Sequence, residues 1–242
     1  MALSYKMVLG WQAAGGDTTT GLLSYWIFSE GSGTTAADSQ PAANTASLIG
    51  TTPWGSDGTG NYLAANNTTI VWANAPTITG YSASTLTVFC WVNAAASANA
   101  SIFTHYDFGS STNQGSWLMG TDQSTGTHLR VYCTNDPTGA TQVKEYLSST
   151  TPFSVAAWHS YAFRFNAGVL DLFVDGVKDP TPNKLQDNAI TTLYNSTANI
   201  GFAAIYNNAA GQGQLTGKFR KFRIYNVAKT DADIAAIHAL GN

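Results

Sequence analysis

The sequence predicts an all-β protein, an antiparallel two-sheet β-sandwich closed by a short C-terminal helix. Three observations carry this. Apolar runs rich in β-branched and aromatic residues recur along the chain, each bounded by Gly, Asn or Ser. Charged residues make up 10% of the 242 positions, against about 25% in ordinary domains. Glutamate occurs twice, at Glu30 and Glu145, which leaves little material for long exposed helices.

The elements follow in order. Residues 1–20 end in GGDTTT and are expected to form an arm, with one domain over 21–242. LLSYWIF (22–28) is an apolar strand closed by the turn SEGSG. LTVFCWV (86–92) is a second strand. SWLMGT (116–121) and HLRVYCT (128–134) form a pair joined by a loop containing Gly. WHSYAFRFN (158–166) and VLDLFVD (169–175) flank Ala167-Gly168, a hairpin turn, and Asp175-Gly176 marks the next. ANIGFAAIY (198–206) adds a further strand. TDADIAAIHAL (230–240) reads as the helix, with Thr230 as N-cap and Asp233 completing a capping box. Ile234, Ile237 and Leu240 are its expected buried stripe.

Cys90 and Cys133 both fall in strands and are expected to be buried thiols; a disulfide would require neighbouring strands in register. The first residues do not have the pattern of a secretory signal. No stretch is long and apolar enough to cross a membrane as a helix. Net charge is −3, which argues against general attraction to nucleic acid or acidic membranes. One exception is local: Lys218, Arg220, Lys221 and Arg223 lie within GKFRKFRIYN (217–226). Phe219 and Phe222 are three apart, which breaks period-two alternation and predicts a β-bulge. Phe222 and Ile224 should then face the core, with Lys221 and Arg223 opposite.

Four stretches in chain order now carry a resemblance. GLLSYWIFSEGSGTTAADS (21–39) resembles the opening of LamG-like jelly-roll domains in the concanavalin A-like lectin/glucanase superfamily. LTVFCWVN (86–93) is similar to their Trp-bearing core strand. AAWHSYAFRFNAGVLDLFVDGVKD (156–179) is similar to their Trp-His strand and the hairpin after it, and GKFRKFRIYNVAKTDADIAAIHAL (217–240) to their last strand and closing helix. The resemblance implies a concanavalin A-like jelly roll, with Trp26, Trp91 and Trp158 filling the space between the sheets.

It also bears on function. Glucanases of the superfamily are similar to one another in a Glu-x-Asp-x-x-Glu strand that supplies two carboxylates; this chain has none, and no catalytic role is expected. His159 reads as a framework residue, and no Gly-x-Ser-x-Gly elbow supports a nucleophile. Relatives often bind sugars. Trp54, Trp72, Tyr106, Asp107, Tyr206 and Asn207 have suitable chemistry, with aromatics to stack and amides or carboxylates to fix hydroxyls. The resemblance implies Ca²⁺ as the one candidate cofactor, at Asp38 with Glu30 nearby; the alternative for Asp38 is an Asx-turn. Where relatives carry an acidic pair, this chain has Arg220-Lys221, which points to lost cation binding or to an acidic protein partner. The expected role is a non-catalytic structural or binding protein, foremost on a virion surface such as a phage capsid decoration protein. Its partners there would be other virion proteins, gripped through residues 1–20, with glycans and copies of itself as further candidates. The alternatives are a carbohydrate-binding adhesin or secreted module and, last, a glycoside hydrolase.

Overall fold

The computed structural model describes residues 16–40, 44–51, 53–78, 83–107, 114–138, 141–153, 157–207 and 210–242. The part of the expected arm before Gly16 lies outside them. Residues 16–20 are tied to the domain: Asp17 N–H donates to Asp233 Oδ1 at 2.5 Å, and Lys229 Nζ donates to Asp17 O at 2.8 Å.

Two antiparallel sheets face each other. The first has eight strands. It runs Val177–Lys178, Val169–Val174, His159–Asn166, Thr85–Ala94, Gly217–Tyr225, Gly60–Ala65, Trp54–Asp57, and Leu22–Trp26 also pairs with Gly217–Tyr225. The second has nine. It runs Asn183–Asp187, Val143–Leu147, Leu129–Thr134, Gln114–Thr121, Ser101–Asp107, Ile200–Phe202, Trp72–Ala75, Ala46–Ile49, Thr35–Ala36. A small hairpin, Ile205–Asn207 with Ala210–Gln212, stands apart from both. The predicted sandwich is therefore present.

Between the sheets lies an aromatic cluster. Trp26, Phe28, Phe103, Phe202 and Phe222 are all 0% exposed. Their rings meet mostly edge to face, with Phe103–Phe222 centroids 4.8 Å apart and Trp26–Phe202 centroids 4.9 Å apart, the arrangement ring quadrupoles favour. The predicted bulge is in place. Pairing of the last strand with Thr85–Ala94 shifts register between Arg220 and Arg223, and Lys221 has φ 56°. The extra residue lets both Phe219 and Phe222 face inward, along with Ile224.

Hairpin turns at Ala167-Gly168 (φ 46° and 98°) and Asp175-Gly176 (φ 51° and 76°) adopt the left-handed geometry of tight two-residue turns. The helix covers Asp231–Ala239 with Thr230 capping and the full capping box. Cys90 and Cys133 are buried free thiols in opposite sheets.

Four expectations change. Of the three tryptophans placed between the sheets, Trp26 is there, joined by Trp117. Trp91 faces outward and packs with Phe89, Ile234 and Ile237 under the helix, stacked on His238 at 5.0 Å. Alternation explains this: Cys90 and Val92 point inward, so Phe89 and Trp91 supply the apolar outer face that the helix needs. Trp158 is half-buried on that same sheet, against Tyr62 at 6.1 Å. Leu240 is 56% exposed, standing at the C-cap after the helix has ended at Ala239, so Ile234 and Ile237 alone form the buried stripe. ANIGFAAIY breaks into two strands at Ala203, which has φ 58° and donates its N–H to Ile102 O at 2.7 Å.

Truncating Phe222 to Ala should cost about 3–5 kcal/mol of stability in urea denaturation, as it empties the centre of the ring cluster.

Candidate functional site

The basic run is not an open patch. Arg220 is 3% exposed and Arg223 5%. The Arg220 guanidinium lies 4.2 Å from the Trp158 ring centroid and pairs with Asp57 at 3.1 Å. Arg223 lies 4.2 Å from the Tyr25 ring centroid and 5.7 Å from that of Phe89. Lys221 Nζ donates to Gly241 O at 3.0 Å. Arg220 is thus committed to Asp57 and Trp158 within the chain. Asp57 also accepts from Thr59, from Trp158 Nε1 at 3.3 Å and from Lys218 Nζ at 3.3 Å. Burial would raise its pKa, but these hydrogen bonds hold the carboxyl well below the usual carboxylate range.

The implied calcium ligands do not assemble a metal set. Asp38 Oδ1 accepts from Tyr25 N–H at 2.9 Å and Gln40 N–H at 3.0 Å, an Asx-turn. Glu30 Oε1 accepts from Ala37 N–H at 2.8 Å. Asp38 Oδ2 is buried with no hydrogen-bond partner among the described residues. Calcium takes six to eight oxygens, and no cluster of three or more His, Cys, Asp or Glu is gathered among the described residues.

The sugar candidates fall in different places. Trp54 is on the first sheet, its indole donating to Gly33 O at 2.7 Å and its ring 6.4 Å from Phe28. Trp72 is 1% exposed on the outer face of the second sheet. Tyr206 lies 6.2 Å from it, and a Cβ on Gly211 would come within 2.8 Å of the indole, so the small hairpin covers Trp72 closely. Trp72 is therefore no open stacking platform. Asp107 is 7% exposed at the end of its strand. Asn207 pairs with Ala210 through the backbone, and its side chain lies outside the described residues.

Tyr106 is different, because it lines a cleft of about 450 Å³ on the outer face of the second sheet. Its ring rests on Gly115, where a Cβ would come within 2.8 Å. The cleft floor comes from alternation. Leu129, Val131 and Cys133 face the core, so Arg130 and Tyr132 face out. Leu118 projects beside Tyr132 and Glu145 sits opposite it on the next strand. Arg130 Nε donates to Glu145 Oε1 at 2.7 Å, and Gln186 Nε2 to Glu145 Oε2 at 3.3 Å. Arg130 Nη1 donates to Asn99 Oδ1 at 3.4 Å. Gln123, with its amide oxygen turned to the guanidinium, accepts from Nη2 at 2.9 Å. Ile205, Gln212 and Gly213 of the small hairpin segment form the facing wall. Tyr106 and Tyr132 stand edge to face at 5.8 Å, and burial raises both phenols above their ordinary pKa. They are neutral hydroxyls at any physiological pH.

Of the residues proposed from sequence, the cleft contains Tyr106. Sequence reasoning missed Arg130, Tyr132, Glu145 and Gln186. A signal existed for two of them, since strict alternation in HLRVYCT puts Arg130 and Tyr132 on one face.

This jelly-roll geometry agrees with a family match. Residues 57–235 match the model described as the concanavalin A-like lectin/glucanases superfamily. The chain belongs to this superfamily. Solved structures give the same fold. Domain 4 of an extracellular arabinanase from Geobacillus stearothermophilus, solved with arabinotriose, aligns with TM-score 0.59 at 14% identity, over 90% of this chain and 98% of that one. A botulinum neurotoxin C/D mosaic receptor-binding domain aligns at 0.61 and 12%, over 90% of this chain and 51% of that one. Trypanosoma rangeli sialidase, solved with sialic acid, aligns at 0.63 and 11%, over 93% of this chain and 34% of that one. At such identities the likeness establishes the fold. No curated protein matches by sequence. Within the superfamily's glucanases catalysis takes two carboxylates; here the cleft lining holds Glu145, already paired. Asp171 is engaged by Arg164 and Lys178, and Asp175 by His159. Ser160 Oγ meets His238 Nδ1 at 2.9 Å, but Ser160 is 1% exposed, and the pair fastens the helix to the sheet.

Two predictions follow from these contacts. Asp57→Asn should cost about 3 kcal/mol, since it leaves a buried guanidinium without its counter-charge, whereas Lys218→Gln should cost less than about 1 kcal/mol; paired urea titrations read the difference. His105 is buried with its ring 6.0 Å from that of Trp117, and burial pushes its pKa down to about 4 against a hydrogen bond to Ala198 O. The fold therefore holds the neutral ring. As pH falls below about 6.5 the unfolded chain takes up a proton that the folded one refuses, so stability drops until pH reaches about 4, by roughly 3 kcal/mol in all. His105→Gln should flatten that part of a stability–pH profile.

Proposed function

We propose that the protein is a non-catalytic glycan-binding module, and that the cleft on the second sheet is its binding site. The observation that carries this is the row Gln123–Arg130–Glu145–Gln186, hydrogen-bonded side chain to side chain beside Tyr132 and Leu118. Sugars present an apolar ring face and a fringe of hydroxyls. A half-exposed aromatic ring with a fixed set of donors and acceptors suits both. The cleft volume of about 450 Å³ is in the range of small-ligand sites. Membership of a lectin/glucanase superfamily supports the reading, as do fold neighbours solved with arabinotriose and with sialic acid. The single, ion-paired carboxylate in the lining supports binding without turnover.

The place of action extends this proposal. A virion surface, with residues 1–20 gripping a shell and further virion proteins or copies of the chain as partners, draws its support from composition alone. Proteomics of purified particles tests it. An exported adhesin or secreted module is the other setting, favoured by the extracellular arabinanase among the fold neighbours.

Glycan-array screening followed by calorimetry tests the binding itself. Binding should weaken about tenfold in Tyr132→Ala, the size expected for losing one ring contact of roughly 1–1.5 kcal/mol. No glycan bound at millimolar concentration, or release of reducing sugar from one that is bound, overturns the proposal.

A further inference from the structure

The cleft has a charge balance that its chemistry as a sugar site leaves unexplained. Two ionisable groups of full charge line it, Arg130 and Glu145, and they neutralise each other at 2.7 Å. Arg130 is 8% exposed and Glu145 6%. Each is held on more than one side. The guanidinium donates to Glu145, Asn99 and Gln123; the carboxylate accepts from Arg130 and Gln186. Tyr106 and Tyr132, which face the same space, are neutral. Asp136 adds a negative charge near both tyrosines and, after burial, contributes to raising their pKa.

Resting on the glycan-binding reading above, we propose that the cleft selects uncharged glycans and rejects acidic ones such as sialylated or uronate-bearing sugars. A sugar hydroxyl both donates and accepts. It can use the remaining lone pairs of Glu145, a carboxylate with about four acceptor sites, and leave the Arg130–Glu145 pair intact. A ligand carboxylate cannot donate. To pair with the one cation in the lining it must take guanidinium N–H groups from Asn99 and Gln123. It would then sit within a few ångströms of a buried carboxylate, where like-charge repulsion is poorly screened. Gln123, Asn99 and Gln186 hold the network in place from the rim, so the guanidinium is not at liberty to swing out to an anion.

Discrimination of this kind rests on one negative charge and can be inverted. Glu145→Gln keeps the side-chain shape and its hydrogen bond to Arg130, but it leaves the cation unbalanced. Gln186→Lys, at an exposed position on the rim, adds a positive charge while leaving both Arg130 and Glu145 in the chain; it exchanges the amide hydrogen bond to Glu145 for an ammonium contact and serves if Glu145→Gln does not fold. The wild-type chain and both variants would be run on an array carrying matched neutral and acidic glycans, each fold checked by circular dichroism. Binding to hits would then be titrated at low and high salt. The proposal expects wild-type hits confined to neutral glycans, with affinity unmoved by salt. It expects at least a tenfold gain for sialylated or uronate glycans in either folded variant, and that gain should vanish at high salt. Wild-type preference for acidic glycans, or no gain in either folded variant, overturns the selectivity while leaving the site a glycan site. An array with no wild-type hits at all removes the glycan-binding reading and the selectivity together.

Discussion

One extra residue in the last strand is the constraint on which the sandwich depends. Gly217–Tyr225 lies in the middle of the first sheet, with Thr85–Ala94 on one side. Its other side changes partner along its length. Gly217, Lys218 and Phe219 pair with Gly60–Ala65, whereas Phe222 to Tyr225 pair with Leu22–Trp26. The bulge at Lys221 sits where the partner changes, and Lys221 N–H donates to Ile27 O at 3.1 Å at the junction. Without the bulge Phe219 and Phe222, three positions apart, would point to opposite faces. With it both rings enter the core, stacked at 6.4 Å, and Arg220 and Arg223 both leave by the outer face. Left-handed backbone at a non-glycine residue is uncommon, and here it is tolerated because so many contacts on either side require it.

A chain with so few charges uses them sparingly and mostly on itself. Of the ten Lys and Arg among the described residues, eight pair with carboxylates. Arg223 instead spreads its charge over aromatic faces, a contact that costs less desolvation than burying a bare ammonium. The outer face of the first sheet is covered in this way by rings and cations together. The second sheet keeps an open cleft with its charge internally cancelled, and this contrast is why the proposed site is placed there.

Much of the fold was legible in the residues. The aromatic and β-branched runs at 86–92, 116–121, 128–134, 158–166 and 169–175 each form a strand, because their period and their turns agree. The bulge could be read from the spacing of two phenylalanines. Strands such as Ala46–Ile49, Trp72–Ala75 and Asn183–Asp187 could not, since Ala, Asn, Ser and Lys give no β signal of their own and pair only because neighbours present an edge. The site was harder still. Its row of polar side chains draws on positions 99, 123, 130, 145 and 186, which only the sheet order brings together. Trp91 and Trp158 misled for the opposite reason: a large aromatic in a strand signals burial, but not which face of the sheet is buried, and here a helix and an arginine cover the outer one.

The pairing of the first strand with the last also bears on how the protein is made. Contacts between positions near 22 and 225 close a loop almost as long as the described chain. Such a topology is slow to form, because loop entropy must be lost before the contact rewards it. During synthesis the long apolar strand Thr85–Ala94 has one neighbour, His159–Asn166, and an open edge until residues 217–225 emerge. Unpaired edges of that length recruit strands from other chains. A cell producing this protein must therefore shield a half-built sheet while the residues between Ala94 and Gly217 are made, and a frameshift or stop before Gly217 should give aggregate rather than a smaller domain.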